Sequence, residues 1–290
     1  MRVLHVDSGK SMRGGQWQVL YLMQEQGTQA RLLCPENGPL MEAARERGMD
    51  VQALNVTSLA RSTRKADITH VHDARAHTWA ASMPSTPMVV SRRVAFPIGQ
   101  SFLSRWKYAR AAHYIAVSEY VKQTLIQGEI DAARISVVHD GVNTPDPVTG
   151  GTEVVALDTG DPMKGSALLR EAASLAGVDI LFTKNLQMDL PRAAIFVYIT
   201  HSEGLGSAAL MAMAAGVPVV ASRVGGLPEI VKHGETGLLT ENDPHSIAAA
   251  IQQALEGRSS MCCRAREHAT LFSTAAMAAG TRRVYERVLA

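Results

Sequence analysis

Residues 198–239 read YITHSEGLGSAALMAMAAGVPVVASRVGGLPEIVKHGETGLL, and their reading decides the fold. The apolar, partly β-branched run Ala194 to Ile199 enters this stretch as a buried strand. It passes into the polar turn Thr200-His201-Ser202-Glu203 and then into Gly204-Leu205-Gly206-Ser207. A helix is predicted over Ala208 to Ala215, with alanine, leucine and methionine on every face, so that it should be buried. Gly216 suits its C-terminal cap, Pro218 to Ala221 forms the next strand, and Gly225-Gly226 opens the following loop. A strand, a glycine turn and a helix N-terminus make an anion site, because main-chain N–H groups and the helix dipole both face the turn. Glu203 within that turn suits hydroxyl groups, such as those of a sugar, since a carboxylate set directly on a phosphate would be repelled. An ordinary strand–helix turn with a solvated Glu203 is the competing reading.

Strands and helices alternate outward from this stretch. Before it, apolar runs at Val3–Val6, Ala30–Cys34, Val51–Leu54, Ile68–Val71, Met88–Ser91, Tyr114–Val117 and Ile135–Val138 read as strands, most of them separated by helical periodicity. Asn143 to Thr152, rich in proline, glycine and threonine, reads as a linker. A second alternation follows, with strands at Val154–Leu157, Val178–Phe182, Ala194–Ile199, Pro218–Ala221 and Gly237–Leu239. The expected architecture is α/β, with two doubly wound parallel sheets in domains 1–147 and 148–290. The closing helix, about 274–289, is free to pack back on the first domain. In such sheets ligands lie beyond the carboxyl ends of the strands, so the turns carry the function.

Composition bounds the partners. The 290 residues are 46% hydrophobic and 19% charged, with a formal net charge of +2, which gives no case for nucleic acid. Cys34, Cys262 and Cys263 lack metal-ligand spacing and point to a reducing compartment rather than a disulfide framework. The opening MRVLHVDSGK reads as a buried strand and not as a signal peptide, and no apolar run reaches the roughly 20 residues of a membrane span. A cytoplasmic location is expected.

Taken together, Glu203, Gly204, Gly206, the alanine-rich helix, Gly216 to Ala221, Gly225-Gly226 and Glu229 resemble the donor-binding signature of retaining GT-B glycosyltransferases of family 4. That resemblance implies two Rossmann-like domains facing a cleft, the second one reduced, and a nucleotide-sugar donor held without a metal cofactor. The absence of any Asp-x-Asp run agrees with the last point. It further implies that Glu203 orients the donor sugar and that the N–H groups after Gly204, through Leu205, Gly206 and Ser207, meet the diphosphate. Three positions depart from the family pattern. Met211 stands where a second glutamate would receive the ribose hydroxyls, Thr159 stands where an arginine precedes Lys164-Gly165, and Arg93 stands where a histidine is usual. Lys164 keeps its place in the second phosphate turn. Arg93 can stabilise a leaving diphosphate through paired hydrogen bonds but cannot act as a base, because it stays protonated.

The same comparison gives roles to other segments. Gly14 and Gly15 follow a strand, open a helix, and resemble the first glycine loop, which approaches the diphosphate. Thr183, with Lys184 and Asn185, is the remaining candidate for the nucleobase pocket, because the region between Ser166 and Ala193 has room for only one helix and one strand. The run His70-x-His72-Asp73-Ala-Arg75-Ala-His77 is better read as a strand end with satisfied imidazoles than as a metal site, which needs at least three convergent ligands. It resembles the acceptor-facing region of the family, which makes His72, Asp73, Arg75 and Arg92 the acceptor contacts. Between Asp73 and Glu119 no acidic residue occurs, while Arg75, Arg92, Arg93, Arg105, Lys107 and Arg110 interleave with Phe96, Phe102, Leu103 and Trp106. Such a stretch suits an anionic membrane surface or a phosphorylated lipid. An ordinary helix with core aromatics fits it as well.

The implied activity is transfer of a sugar from a nucleotide sugar to a hydroxyl of a cell-surface glycan or glycolipid precursor, lipopolysaccharide-like, at the inner face of the membrane. Lys164 and Glu203, with Arg93, would carry the chemistry. The competing reading is a catalytically inactive scaffold subunit of the same fold, favoured by the departures at Met211 and Thr159.

Overall fold

The computed structural model describes residues 1–83, 86–99 and 101–290. It divides into two compact units, residues 1–141 with 274–290, and residues 142–273. The first unit contains β1 (Val3–Val6), α1 (Gly14–Gln26), β2 (Ala30–Cys34), α2 (Pro39–Glu46), β3 (Val51–Ala53), α3 (Val56–Thr63) and β4 (Ile68–Val71). It continues through α4 (Ala74–Ala81), β5 (Met88–Arg92), α5 (Phe102–Ala109), β6 (His113–Ala116), α6 (Glu119–Gln127) and β7 (Ile135–Val137). The second unit contains β8 (Glu153–Leu157), α7 (Ser166–Ala176), β9 (Ile180–Thr183), α8 (Leu186–Asp189), β10 (Ala193–Tyr198) and α9 (Ser207–Ala214). It ends with β11 (Val219–Ser222), α10 (Leu227–Ile230), β12 (Gly237–Thr240), α11 (Pro244–Glu256) and α12 (Arg258–Ala269). The final helix, α13 (Thr274–Leu289), belongs to the first unit.

The first sheet has seven parallel strands in the order β3-β2-β1-β4-β5-β6-β7. Chain order reverses direction between β1 and β4, so the loops after those two strands diverge at the switch point, where an open α/β sheet leaves a crevice. The second sheet has five parallel strands in the order β12-β11-β10-β8-β9, and its switch point lies between β10 and β8. The loops flanking it are residues 158–165 and 199–206.

Parallel strands are covered on both faces and therefore read as continuous apolar runs. In β10 all of Ala193 to Tyr198 is buried, and its Ile195 and Val197 pack with Val154, Val220 and Leu238 against Ile247 and Ile251 of α11. In the first unit Val3, Ile68, Val89 and Ile115 share a cluster with Val284 and Tyr285, which seats α13 on the sheet. Gly280 lets that helix approach closely, since a Cβ there would stand 3.0 Å from Val138 Cγ1.

Helix α9 is buried except for a strip formed by Ser207, Ala208 and Met211 on its first turn. The reading of an all-round buried helix missed this strip because an alanine-rich sequence has no polar face to mark one. Helix α12 was not foreseen either; its sequence RSSMCCRAREHA has only a thin apolar stripe, Met261, Ala265 and Ala269, at spacings of four. Arg266 on α12 donates to the carbonyls of Ala214 (2.8 Å) and Pro145 (2.7 Å), placing a cation at the C-terminus of α9.

Candidate active site

The two loops at the second unit's switch point are bonded to one another through the main chain. His201 N–H donates to the Met163 carbonyl at 2.9 Å, and Thr200 Oγ1 donates to the same oxygen at 3.3 Å. Beneath them Thr200 N–H donates to Ser222 Oγ, which bonds Asn242, whose amide returns to the Thr200 carbonyl, so the ends of β10 and β11 share one buried polar loop. Gly165, at φ +61°, has no room for a Cβ, which would stand 2.6 Å from Ile199 Cγ2. Lys164 is thereby set against Glu203.

Lys164 Nζ donates to Glu203 Oε2 at 2.7 Å and to the Tyr198 hydroxyl oxygen at 3.2 Å. Tyr198 in turn donates its single proton to the same Oε2. Burial and the neighbouring carboxylate raise the Tyr198 phenol well above its ordinary pKa, which keeps that proton in place. Two donors therefore converge on Oε2, while among the described residues Oε1 receives only the Gly204 N–H at 3.2 Å and remains the oxygen with capacity for a ligand hydroxyl. The third ammonium proton of Lys164 is available to an anion. The pair is accessible but largely withdrawn from water, with side-chain exposures of 24% for Lys164 and 17% for Glu203.

The turn carrying Glu203 is clamped from behind by Gly225-Gly226. A Cβ on Gly225, whose φ is +59°, would fall 1.9 Å from the Glu203 carbonyl oxygen, and one on Gly226 would fall 2.2 Å from that of Gly204. Only glycine permits this approach. Leu205 is buried, and Gly206, at φ +108°, opens α9 without a side-chain cap or an acidic residue in the first turn. The helix thus presents its dipole to the space beside Ser207 and Met211.

In the first unit the parallel register sets His5 beside His70, and period two carries His72 and Ser91 onto that face. All three imidazoles are buried, and every ring nitrogen has a partner. His5 bonds His72 (2.9 Å) and Gln26 (2.7 Å), His70 bonds Tyr285 (2.6 Å) and Ser91 (2.8 Å), and His72 also meets Arg93 Nη1 at 3.3 Å. Their nitrogens lie within 4.8 Å of one another, so the three are grouped closely enough for a metal ion, yet each is spent on a hydrogen bond. Arg93 forms a salt bridge from Nε to Asp140 Oδ1 at 2.9 Å, with 14% and 7% of the two side chains exposed. Its stem runs beside the start of α1, since a Cβ on Gly15 would stand 3.8 Å from Arg93 Cδ.

The site residues named from the sequence divide by what their polar atoms do. Lys164, Glu203, Gly204, Gly206, Ser207 and Met211 come together in the second unit, and Gly14, Gly15, His72 and Arg93 in the first. Asp73 caps α4 by accepting from the N–H groups of Arg75 and Ala76, and it also receives the Ser8 N–H and hydroxyl. Arg92 donates to the Tyr108 hydroxyl and the Phe96 carbonyl. The Thr183 hydroxyl bonds Asp189 and the Asn185 N–H, closing the turn into α8. Arg75 is exposed, and among the described residues its guanidinium has no partner. Tyr198, Asp140 and His5 escaped the sequence reading because each lies within or just beyond an apolar strand. A tyrosine at the last position of a buried strand, one turn before Glu203, was the available signal.

Residues 17–145 match the family described as Glycosyltransferase Family 4, and residues 152–257 match that described as Glycosyl transferases group 1. A D-inositol 3-phosphate glycosyltransferase of Corynebacterium glutamicum is 44% identical over 104 residues, which are 34% of this chain and 25% of that protein. The chain thus spans about a quarter of that relative's length. An uncharacterized glycosyltransferase of Methanocaldococcus jannaschii is 28% identical over 220 residues, 63% of this chain and 62% of that protein. Among solved structures, Anabaena HepE in complex with UDP superposes with a TM-score of 0.87 at 16% identity, covering 99% of this chain and 100% of that one. The two parallel-sheet α/β domains are those of the GT-B fold, and each unit carries a stretch that matches one of the two family models.

The buried imidazoles make stability depend on pH. Burial lowers His5 to about 4 and His77 to about 3, and puts His70 and His72 well below the ordinary 6.5. The unfolded chain therefore binds more protons than the folded one from pH 6.5 downward. The stability these groups contribute is complete above 6.5 and declines toward 4, by about 1.4 kcal/mol per pH unit for each imidazole. Asp7, whose carboxyl burial raises, works in the opposite sense as a single group. Urea denaturation at pH 7.5 and pH 5 should differ by at least about 4 kcal/mol. Equal stabilities would contradict neutral, buried histidines.

Proposed function

We propose that this chain is a retaining glycosyltransferase that moves a sugar from a nucleotide-sugar donor to a hydroxyl of a glycan or glycolipid precursor, without a metal. The observation carrying this reading is the Lys164–Glu203–Tyr198 cluster at the mouth of α9, inside the stretch that matches the group 1 family. Nucleotide-sugar use is supported by the likeness of the whole chain to a protein solved with UDP and with UDP-glucose.

In this assignment the diphosphate lies at the N-terminus of α9 and takes the free proton of Lys164, while Glu203 Oε1 holds a sugar hydroxyl. Breaking the bond between the sugar and the diphosphate leaves negative charge on the phosphate, where Lys164 and the helix dipole stabilise it. Glu203, already accepting from Lys164 and Tyr198, is a poor base, and Arg93 is none. The acceptor's proton therefore passes to the departing phosphate oxygen, the most basic group formed. Gly14, Gly15 and Arg93 supply the first unit's own anion site. Of the acceptor residues Arg75 offers a charge unengaged among the described residues, and Asp73 caps the helix that presents it. Met211, half exposed beside Ser207, occupies the ribose position, where a thioether is a weak acceptor.

Glu203→Gln keeps an acceptor for Tyr198 and should fold normally. Transfer should fall by roughly 10² or more, because a hydrogen bond that tightens in the transition state is lost. Calorimetric titration with UDP-glucose and a transfer or hydrolysis assay form the test. Wild-type turnover in the variant removes Glu203 from the chemistry, and a wild-type protein that binds no nucleotide sugar favours the inactive scaffold subunit.

A lipid-linked acceptor is supported by the acid-free segment. Phe96, Phe102 and Leu103 are 65%, 77% and 73% exposed, and Tyr108 is the buried residue of α5, so the aromatics at its start are not core. Arg105 and Arg110 are exposed beside them, whereas Lys107 turns inward to the Ala74 carbonyl and the Tyr108 ring. No helix among the described residues is long and apolar enough to cross a membrane. Surface binding should depend on charge, at about 1 kcal/mol per basic side chain. Sedimentation should show binding to anionic but not neutral vesicles, reduced about five-fold by Arg105→Gln. Equal partitioning to both vesicle types contradicts this account.

A further inference from the structure

We infer that Arg93, His72 and His5 form a one-way relay of N–H donors that ends on the Gln26 amide oxygen and fixes the Arg93 guanidinium, which makes His5 a positioning residue and His72 one rather than an acceptor contact. The inference deepens the assignment of Arg93 to an anionic ligand and rests on that reading for its functional meaning.

The direction of the relay follows from Arg93, which can only donate. Its Nη1 lies 3.3 Å from His72 Nδ1, so Nδ1 accepts and the proton of neutral His72 sits on Nε2. Nε2–H then donates across 2.9 Å to His5 Nδ1, which leaves the His5 proton on Nε2. That proton donates across 2.7 Å to Gln26 Oε1. Reversing the chain would set His72 Nδ1–H against an Arg93 N–H, two donors facing each other. A doubly protonated ring anywhere in the file makes the same clash, and burial disfavours it at both histidines.

At its other side Arg93 is held by Asp140 through Nε. The guanidinium is therefore gripped at Nε and Nη1, with its stem beside Gly15 at the start of α1. A long flexible cation becomes a preorganised donor, which loses little freedom when an anion arrives. His70 stands apart from this file: it bonds Tyr285 and Ser91 and only packs on His72, with ring centroids 4.2 Å apart.

The relay has a spectroscopic signature that mere packing does not produce. In protein labelled with ¹⁵N-histidine and ¹⁵N-arginine, both His5 and His72 should appear as neutral Nε2–H tautomers between pH 6 and 8. Gln26→Met removes the far acceptor at nearly constant volume. It should shift the His72 ring nitrogens and speed solvent exchange of the Arg93 Nη protons about ten-fold, a hydrogen bond's worth. Arg93→Gln removes the donor that sets the direction and should mix the tautomers at His72. An Nδ1–H tautomer at either histidine, or an Arg93 resonance indifferent to Gln26→Met, overturns the relay. Should Gln26→Met fail to fold, the wild-type tautomers and Arg93→Gln decide it. Failure of the transferase reading would show as absent UDP binding by the wild type and would leave these spectra unchanged.

Discussion

Lys164 and Glu203 share one carboxylate oxygen with Tyr198, and this three-way contact is the constraint on which the second unit's site depends. A lone carboxylate at a helix N-terminus would bind the helix and repel a phosphate. Paired with an ammonium and a phenol, it presents one oxygen to hydroxyls while the cation keeps a proton for an anion. Two loops from different strands must therefore stay within hydrogen-bond reach. Main-chain bonds between residues 163 and 201, and the side-chain-free backs of Gly225 and Gly226, hold them there.

Both sheets gather a polar cluster where chain order reverses. In the second unit the flanking strands are β8 and β10, and in the first β1 and β4. The first unit solves a different problem at that place. Register brings His5 beside His70, and buried imidazoles need partners. Gln26, Ser91, Tyr285 and Arg93 supply them, each from a different element. The polar cluster stays neutral, and its one cation is balanced by Asp140.

Much of this was legible in the sequence. Each strand read from an apolar run occurs, because strands covered on both faces announce themselves by continuous hydrophobicity. The glycine turns that carry Glu203 and Lys164 were legible as turns because turn geometry is local. Tyr198 was hidden inside such a run, where an aromatic ring reads as core although its hydroxyl reaches Glu203 five residues on. Asp73 drew attention as an acidic residue after a strand, but a helix start has first claim on such a carboxylate. Lys107 belonged by composition to a basic face, yet helical rotation points it at the protein. Helix α12 was missed because its stripe is three residues wide and its surroundings are arginine and serine.

In the proposed function the diphosphate depends on the cation at the second switch point, Lys164. The most direct test is calorimetric titration of UDP into the wild type and into Lys164→Met, which keeps the length of the stem and removes its charge. Loss of a charged hydrogen bond worth about 1.5–3 kcal/mol predicts affinity weakened by roughly 10- to 100-fold, with the fold preserved. Unchanged UDP affinity in Lys164→Met would place the diphosphate elsewhere and contradict the account.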